Sequence, residues 1–77
     1  MPKLPRISGE DLIRVLQKEG FEIARQKGGH VQMRKFIGGE KLSFPVPVHS
    51  GKDLKTGTLH GILRKAGMSV DHLIELL

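Results

Sequence analysis

The sequence predicts an α+β fold: a three-stranded antiparallel meander sheet packed on two helices, in the order α-β-β-β-α, plus a short C-terminal helix. Two stretches, residues 9–19 and 59–66, have apolar residues at helical spacing, whereas the part between them alternates apolar and polar residues. Glycine pairs at 28–29 and 38–39 interrupt this alternation, which is typical of hairpin turns. A chain of 77 residues is expected to form a single domain, residues 1–77.

The first helix is predicted over residues 9–19. Ser8 and Asp11 have the Ser-x-x-acid spacing of a capping box, in which each side chain accepts a hydrogen bond from the other residue's backbone. Gly20 can adopt the left-handed conformation that ends a helix, and Phe21 then folds back onto the last turn. The sequence therefore predicts both ends of this helix.

The first two strands are predicted over residues 21–26 and 30–36. Phe21 and Ile23 are expected on one face of the first strand, and the glycine pair behind it supplies a tight turn. Successive side chains of a strand point to opposite faces, so the second strand has one apolar and one polar face. The apolar face has Val31 and Met33, and the polar face has His30, Gln32, Arg34 and Phe36.

The third strand has Leu42, Phe44 and Val46 at alternating positions. Pro45 and Pro47 have no amide hydrogen to donate to a neighbouring strand, so this strand is expected at the edge of the sheet. The helices should cover one face of the sheet and leave the polar face free.

A polar loop is predicted between Val48 and Thr58, over residues 49–57, before the second helix. The second helix has apolar residues over 59–66 and is expected to end at Gly67, with Met68 folding back as Phe21 does after the first helix. Ser69 is expected to cap the short last helix.

The composition limits the kinds of protein that this chain can be. It has no cysteine, which excludes disulfides, zinc–thiolate sites and cysteine nucleophiles. No apolar run approaches the roughly 18 residues that span a bilayer, so a soluble, cytoplasmic protein without a membrane partner is expected. The 13 Lys and Arg residues exceed the 8 Asp and Glu residues, and the net charge of +5 favours a polyanion as partner.

His30 is the candidate catalytic residue. It follows the Gly28-Gly29 turn on the polar face of the predicted sheet, where a nucleic-acid backbone could approach it. An imidazole can take the proton of a ribose 2'-hydroxyl while neighbouring cations stabilise the charge that develops on the phosphorus. The alternative is an ordinary hairpin in which the histidine only begins a strand. The residues expected to contact RNA are Arg25, Lys27, Gly28, Gly29 and Arg34.

The chain has three other histidines, His49, His60 and His72. His49, in the polar loop, is a candidate second proton-transfer group, and the alternative is an ordinary loop histidine. His60 and His72 are expected to be ordinary surface residues. The histidines lack the i, i+4 spacing of a helical metal site and the carboxylates are scattered, so neither a metal nor another cofactor is expected.

Short motifs follow one another along the chain: Gly20-Phe21, Arg25-Gln26-Lys27-Gly28-Gly29-His30, Pro47-Val48-His49, Gly57-Thr58-Leu59 and Ala66-Gly67. Taken together, these motifs resemble the HicA (YcfA-like) toxin family. The resemblance covers nearly the whole chain, from the first helix to Gly67, and the order of the motifs is more specific than any one of them. It implies a fold like that of the double-stranded-RNA-binding domain.

The resemblance also implies a function. Proteins of this family are mRNA interferases, toxins of type II toxin–antitoxin modules that cleave RNA without a metal and are neutralised by a HicB-like antitoxin. The histidine corresponding to His30 is the one on which cleavage depends. The family usually has Gly-Ser-His at this turn, and Gly29 takes the place of the serine, removing a hydroxyl that could orient the substrate or the imidazole. The predicted last helix lies beyond the matching stretch and either covers the core or contacts a partner.

Two other functions fit the same residues. One is a non-catalytic RNA-binding module that recognises A-form shape and phosphates. The other is a protein-interaction subunit whose basic surface meets an acidic antitoxin and no RNA. Cleavage of a long RNA in the presence of EDTA distinguishes the nuclease from both.

Overall fold

The computed structural model describes residues 3–77, and Met1 and Pro2, which begin the N-terminal arm, lie outside the described residues. The three strands form one antiparallel sheet in the order β1-β2-β3. The predicted α+β class and the α-β-β-β-α order with a further C-terminal helix are confirmed. The elements are α1 (Gly9–Lys18), β1 (Glu22–Lys27), β2 (His30–Ile37), β3 (Glu40–Pro47), α2 (Thr56–Ala66) and α3 (Val70–Leu76).

Both ends of α1 agree with the sequence prediction. The Asp11 amide donates to Ser8 Oγ at 3.1 Å, and the Ser8 amide donates to Asp11 Oδ2 at 3.3 Å, so the capping box is formed. Gly20 has a φ of 101°, and the Phe21 amide donates to the Leu16 carbonyl oxygen at 2.9 Å. This is the backbone geometry of a Schellman stop.

The second helix begins earlier than predicted, at Thr56, inside the loop that was predicted to extend to Gly57. The apolar periodicity that marks a helix is absent from its first turn, where Thr56, Gly57 and Thr58 precede Leu59. The end of α2 is as predicted: Gly67 has a φ of 69°, and the amide of the following residue donates back to the helix.

The hydrophobic core lies between the helices and one face of the sheet. Val31 and Met33 are buried, whereas His30 and Phe36 on the same strand are exposed, which confirms the predicted alternation. The rings of Phe21 and Phe44 pack against each other with centroids 5.2 Å apart. The largest fully buried side chains are Phe44, Leu12, Leu16, Met33, Leu59, Leu73, Val15 and Val46.

The first strand departs from the prediction. The strand begins at Glu22 rather than Phe21, and Ile23, which was expected on the same face as Phe21, pairs with the buried Met33 but has a side chain that is 45% exposed. All six residues of β1 are exposed, because α1 and α2 pack against β3 at the opposite edge of the sheet. Phe21 itself is buried and precedes the strand. The helices therefore cover β2 and β3, and β1 extends beyond them.

The last helix, α3, covers the core. Leu73 is completely buried, while Ile74 and Leu77 remain exposed. Lys18 Nζ at the end of α1 donates to the Leu76 carbonyl oxygen at 2.8 Å, which ties the two helices together. Among residues 3–77, no helix has the length and apolar character needed to cross a membrane.

Candidate functional site

His30 is the first residue of β2 and directly follows the two-residue turn between β1 and β2. Gly28 in this turn has a φ of 58°, a conformation that glycine adopts without strain. In the sheet, His30 is opposite Lys27 on β1 and Pro47 on β3. Since directly opposite residues share a face, His30 and Lys27 lie together on the uncovered face.

The other two predicted cations follow on the same face at increasing distance from His30. Arg25 is opposite Gln32, and Arg34 is opposite Glu22. Arg34 is four positions along the strand from His30, about 13 Å at 3.3 Å per residue. Lys27 is therefore the predicted cation closest to His30 in register, Arg25 is the next, and Arg34 lies farthest away.

Arg34 already has partners within the protein. Its Nε donates to Glu22 Oε1 at 2.6 Å, and its guanidinium carbon lies 5.8 Å from the centre of the Phe36 ring. Exposed ion pairs of this kind contribute little to stability, but this one holds the guanidinium across two strands. A phosphate bound by Arg34 would have to share it with a carboxylate.

The turn before His30 is packed against the start of the loop between β3 and α2. The Val48 amide donates to the Gly29 carbonyl oxygen at 2.7 Å. A β-carbon on residue 29 would lie 3.6 Å from Cε1 and 3.9 Å from Nδ1 of His49, both ordinary contact distances. The structure thus brings the loop histidine to the residue that precedes His30, a contact that the sequence leaves open.

The loop is held by the residues that precede and begin α1. The Leu54 amide donates to the Ile7 carbonyl oxygen at 2.8 Å, and Ser8 forms an isolated antiparallel bridge with Asp53. Gly9 is buried where a β-carbon would overlap the carbonyl oxygen of Pro47, so the start of α1 packs on the end of β3. The loop therefore has a defined position beside the turn.

A cleft of about 420 Å³ opens between this loop and the first turn of α2. The sequence pattern does not single out Lys52 and Lys55, which line the cleft together with His49. The available signal is the concentration of polar residues over 49–57, which predicts a loop but does not tell which side chains meet. The complete lining is Pro47, His49, Lys52, Asp53, Leu54, Lys55 and Thr58.

The remaining histidines lie apart from this site. His60 is exposed on α2. His72, expected to be an ordinary surface residue, contacts Glu19 through Nε2, and its Nδ1 lies 3.8 Å from Glu75 Oε2, so it joins α3 to the end of α1. Within residues 3–77, no three or more histidine, aspartate and glutamate side chains come together in a way that could hold a metal ion.

Comparison with known proteins identifies one family. A family model described as the HicA toxin of bacterial toxin–antitoxin modules matches residues 9–68. No curated protein and no solved structure matches the chain significantly. The matched stretch includes the glycine turn, His30, His49 and the lysines of the cleft, and it ends before α3.

Proposed function

Because the chain belongs to the HicA toxin family, and is therefore the toxin of a toxin–antitoxin pair, we propose that it is a metal-independent endoribonuclease, an mRNA interferase. The observation that carries this proposal is the placement of His30. Its side chain is exposed beside Lys27, at a side-chain-free glycine turn that the loop bearing His49 contacts. An imidazole beside a cation, with space for a nucleic-acid backbone, suits phosphodiester cleavage.

The chemistry needs two proton transfers. A base removes the proton of the ribose 2'-hydroxyl, and the 2'-oxygen then forms a bond to phosphorus while the bond to the 5'-oxygen of the next nucleotide breaks. An acid protonates that leaving oxygen, so the products are a 2',3'-cyclic phosphate and a 5'-hydroxyl. We assign one transfer to His30 and propose His49 for the other, since its ring lies against the residue before His30.

The second requirement of this mechanism is charge stabilisation, which the cations near His30 supply. In the transition state the phosphoryl oxygens gain negative charge, which a nearby ammonium or guanidinium group stabilises. Lys27 is opposite His30 and Arg25 is one step farther along the same face, so these two are the proposed phosphate ligands at the cleavage site. The Gly28-Gly29 turn has no side chains to keep the RNA backbone away.

The chain has an antitoxin partner, and we propose that this partner is HicB-like. Acidic residues of an antitoxin placed against Arg25 and Lys27 would compete directly with RNA phosphates for the same charges. Arg34 lies on the same face and would extend such a contact. Salt should then weaken the binding of RNA and of the antitoxin together.

The test is the variant His30→Ala, incubated with a long RNA in EDTA. We expect the rate of cleavage to fall by roughly 10²-fold or more, the usual contribution of a general acid or base. Growth arrest on expression should disappear, while the thermal unfolding curve stays close to that of the unaltered protein, because the side chain is exposed. His60→Ala removes another exposed histidine and is the matched control.

Full cleavage by His30→Ala would contradict the assignment. If the unaltered protein binds RNA but leaves it intact in EDTA, the non-catalytic RNA-binding module is the better description. If it binds only the antitoxin, the protein-interaction subunit is supported instead.

A further inference from the structure

The cleft between the β3–α2 loop and α2 combines two kinds of surface. Pro47 and Leu54 supply apolar side chains, and Lys52, Lys55 and His49 supply groups that attract or contact an anion. Asp53 also lines the cleft, so two ammonium groups face one carboxylate there. A volume of about 420 Å³ is within the range of pockets that enclose small ligands.

The cleft lies next to the proposed cleavage site. His49 belongs to both, because its ring lines the cleft and also lies 3.6 Å from where a β-carbon of residue 29 would be. Pro47, which is opposite His30 on the neighbouring strand, also lines the cleft, so a polymer whose phosphate is at His30 has the cleft beside its next unit. The loop is also held from both sides, by the Val48–Gly29 and Leu54–Ile7 hydrogen bonds, so the cleft exists before any ligand binds.

We propose that this cleft receives the nucleotide next to the scissile phosphate, with its base against Pro47 and Leu54 and its phosphate on Lys52 and Lys55. The proposal rests on the proposed function and adds to it a binding subsite for an unpaired nucleotide. A base can enter a cleft only when it is unpaired, whereas a duplex presents its phosphates and 2'-hydroxyls on the outside and keeps its bases stacked.

Binding of an RNA that cannot be cut tests this separately from catalysis. The probe is a single-stranded decamer with 2'-O-methyl groups throughout, labelled for fluorescence anisotropy, and a duplex of the same sequence is the second probe. Neither has a free 2'-hydroxyl, so the result does not depend on whether His30 is catalytic. Failure of the nuclease proposal appears only in the cleavage assay with His30→Ala.

The test variant is the double substitution Lys52→Gln and Lys55→Gln. The matched control is Lys41→Gln with Lys65→Gln, which removes the same charge from exposed positions outside the cleft. We expect the cleft variant to weaken binding of the single strand by about tenfold, and the control by at most about threefold. The duplex should be affected equally by the two variants.

A third variant tests the volume of the cleft independently of its charge. Thr58→Trp fills the space from the first turn of α2 without changing any charge, and we expect it to weaken binding of the single strand while the far-ultraviolet circular dichroism spectrum is retained. Equal effects of the two lysine pairs on the single strand, or tight binding that survives Thr58→Trp, would overturn the proposal. Preferential binding of the duplex with the same dependence on Lys52 and Lys55 would replace it by duplex recognition.

Discussion

The two ends of the sheet have turns of the same Gly-Gly sequence, but the segments that contact these turns differ. Each end has a two-residue Gly-Gly turn, Gly28-Gly29 at one and Gly38-Gly39 at the other. The first is hydrogen-bonded to Val48 and contacts the ring of His49. At the second, a β-carbon on either glycine would meet no atom of the described residues within 4 Å.

This difference shows what makes one turn a candidate site. Both glycine pairs form a two-residue turn whose first glycine has a positive φ, and in the second pair Gly39 has a positive φ as well. Among residues 3–77, only the first end is also contacted by a loop and supported by the start of α1, through Gly9 on Pro47. The second end shows Phe36 and Ile37 to solvent, 59% and 54% exposed. Chemistry needs several groups held together, and only the packed end has them.

The largest expected effect concerns the group that the loop brings to the turn. His49→Gln keeps a polar side chain of similar size but cannot exchange a proton near neutral pH, so we expect kcat for RNA cleavage to fall by about 10²-fold with KM nearly unchanged. The measurement is steady-state cleavage of a short RNA. His60→Gln is the control, and a His49→Gln enzyme with unaltered kcat would limit His49 to lining the cleft.

The next largest effect concerns the contact between Gly9 and Pro47, which supports the end of the sheet with the Gly28-Gly29 turn. In Gly9→Ala the new methyl group overlaps the Pro47 carbonyl oxygen, so the start of α1 and the end of β3 must separate. We expect a loss of about 2 kcal/mol in the free energy of unfolding, the usual cost of overpacking, measured by urea denaturation.

Gly61→Ala is the matched helical control for Gly9→Ala. A β-carbon there meets no described atom within 4 Å outside its own helix, and alanine favours a helix interior over glycine, so a gain of about 0.5–1 kcal/mol is expected. Equal stability of the two variants would mean that the close approach of Gly9 to Pro47 is not maintained in solution.

The smallest effect compares the two turns directly. Gly39 has a φ of 84°, so Gly39→Ser should cost about 1 kcal/mol of stability through backbone strain alone. Residue 29 lies outside the left-handed region, and its β-carbon would be 3.4 Å from the Val48 carbonyl oxygen, so Gly29→Ser should change stability by less than about 0.5 kcal/mol.

Gly29→Ser also restores the Gly-Ser-His order usual in the family and places a hydroxyl beside His49. We expect RNA cleavage to become faster than in the unaltered protein, whereas Gly39→Ser should leave the cleavage rate per folded molecule unchanged. Thermal melts and cleavage assays on both variants check this. A large loss of stability in Gly29→Ser would show that the contact with the loop is tighter than the structure indicates.

Features that depend on neighbours in the chain were predictable from the sequence. The capping box of Ser8 and Asp11 and the stops at Gly20 and Gly67 each involve residues within about five positions, and all are present. The alternation that buries Val31 and exposes His30 has the period of a strand and is also present. Family membership was likewise indicated by motif order and confirmed by the match over residues 9–68.

The errors arose where a position depends on distant segments. Periodicity puts Ile23 on one face with Phe21, and it pairs with the buried Met33, but the helices pack on β3 and leave all of β1 exposed. The sequence pattern places the start of α2 too late, because the first turn has polar residues whose helical conformation depends on the apolar turns after it. The local sequence pattern does not tell how far across the sheet the packed helices extend.

By itself, the sequence determined the order of helices and strands, the residues that begin and end most of them, and the presence of a histidine after a glycine turn on a polar strand face. Only the tertiary structure decided which of the two Gly-Gly turns is packed, that His49 meets Gly29, and that Lys52 and Lys55 line one cleft. The physical reason is the distance along the chain over which each kind of interaction acts. Caps, turns and alternation arise from interactions between near neighbours, whereas a site is made by side chains that the packing of distant segments brings together.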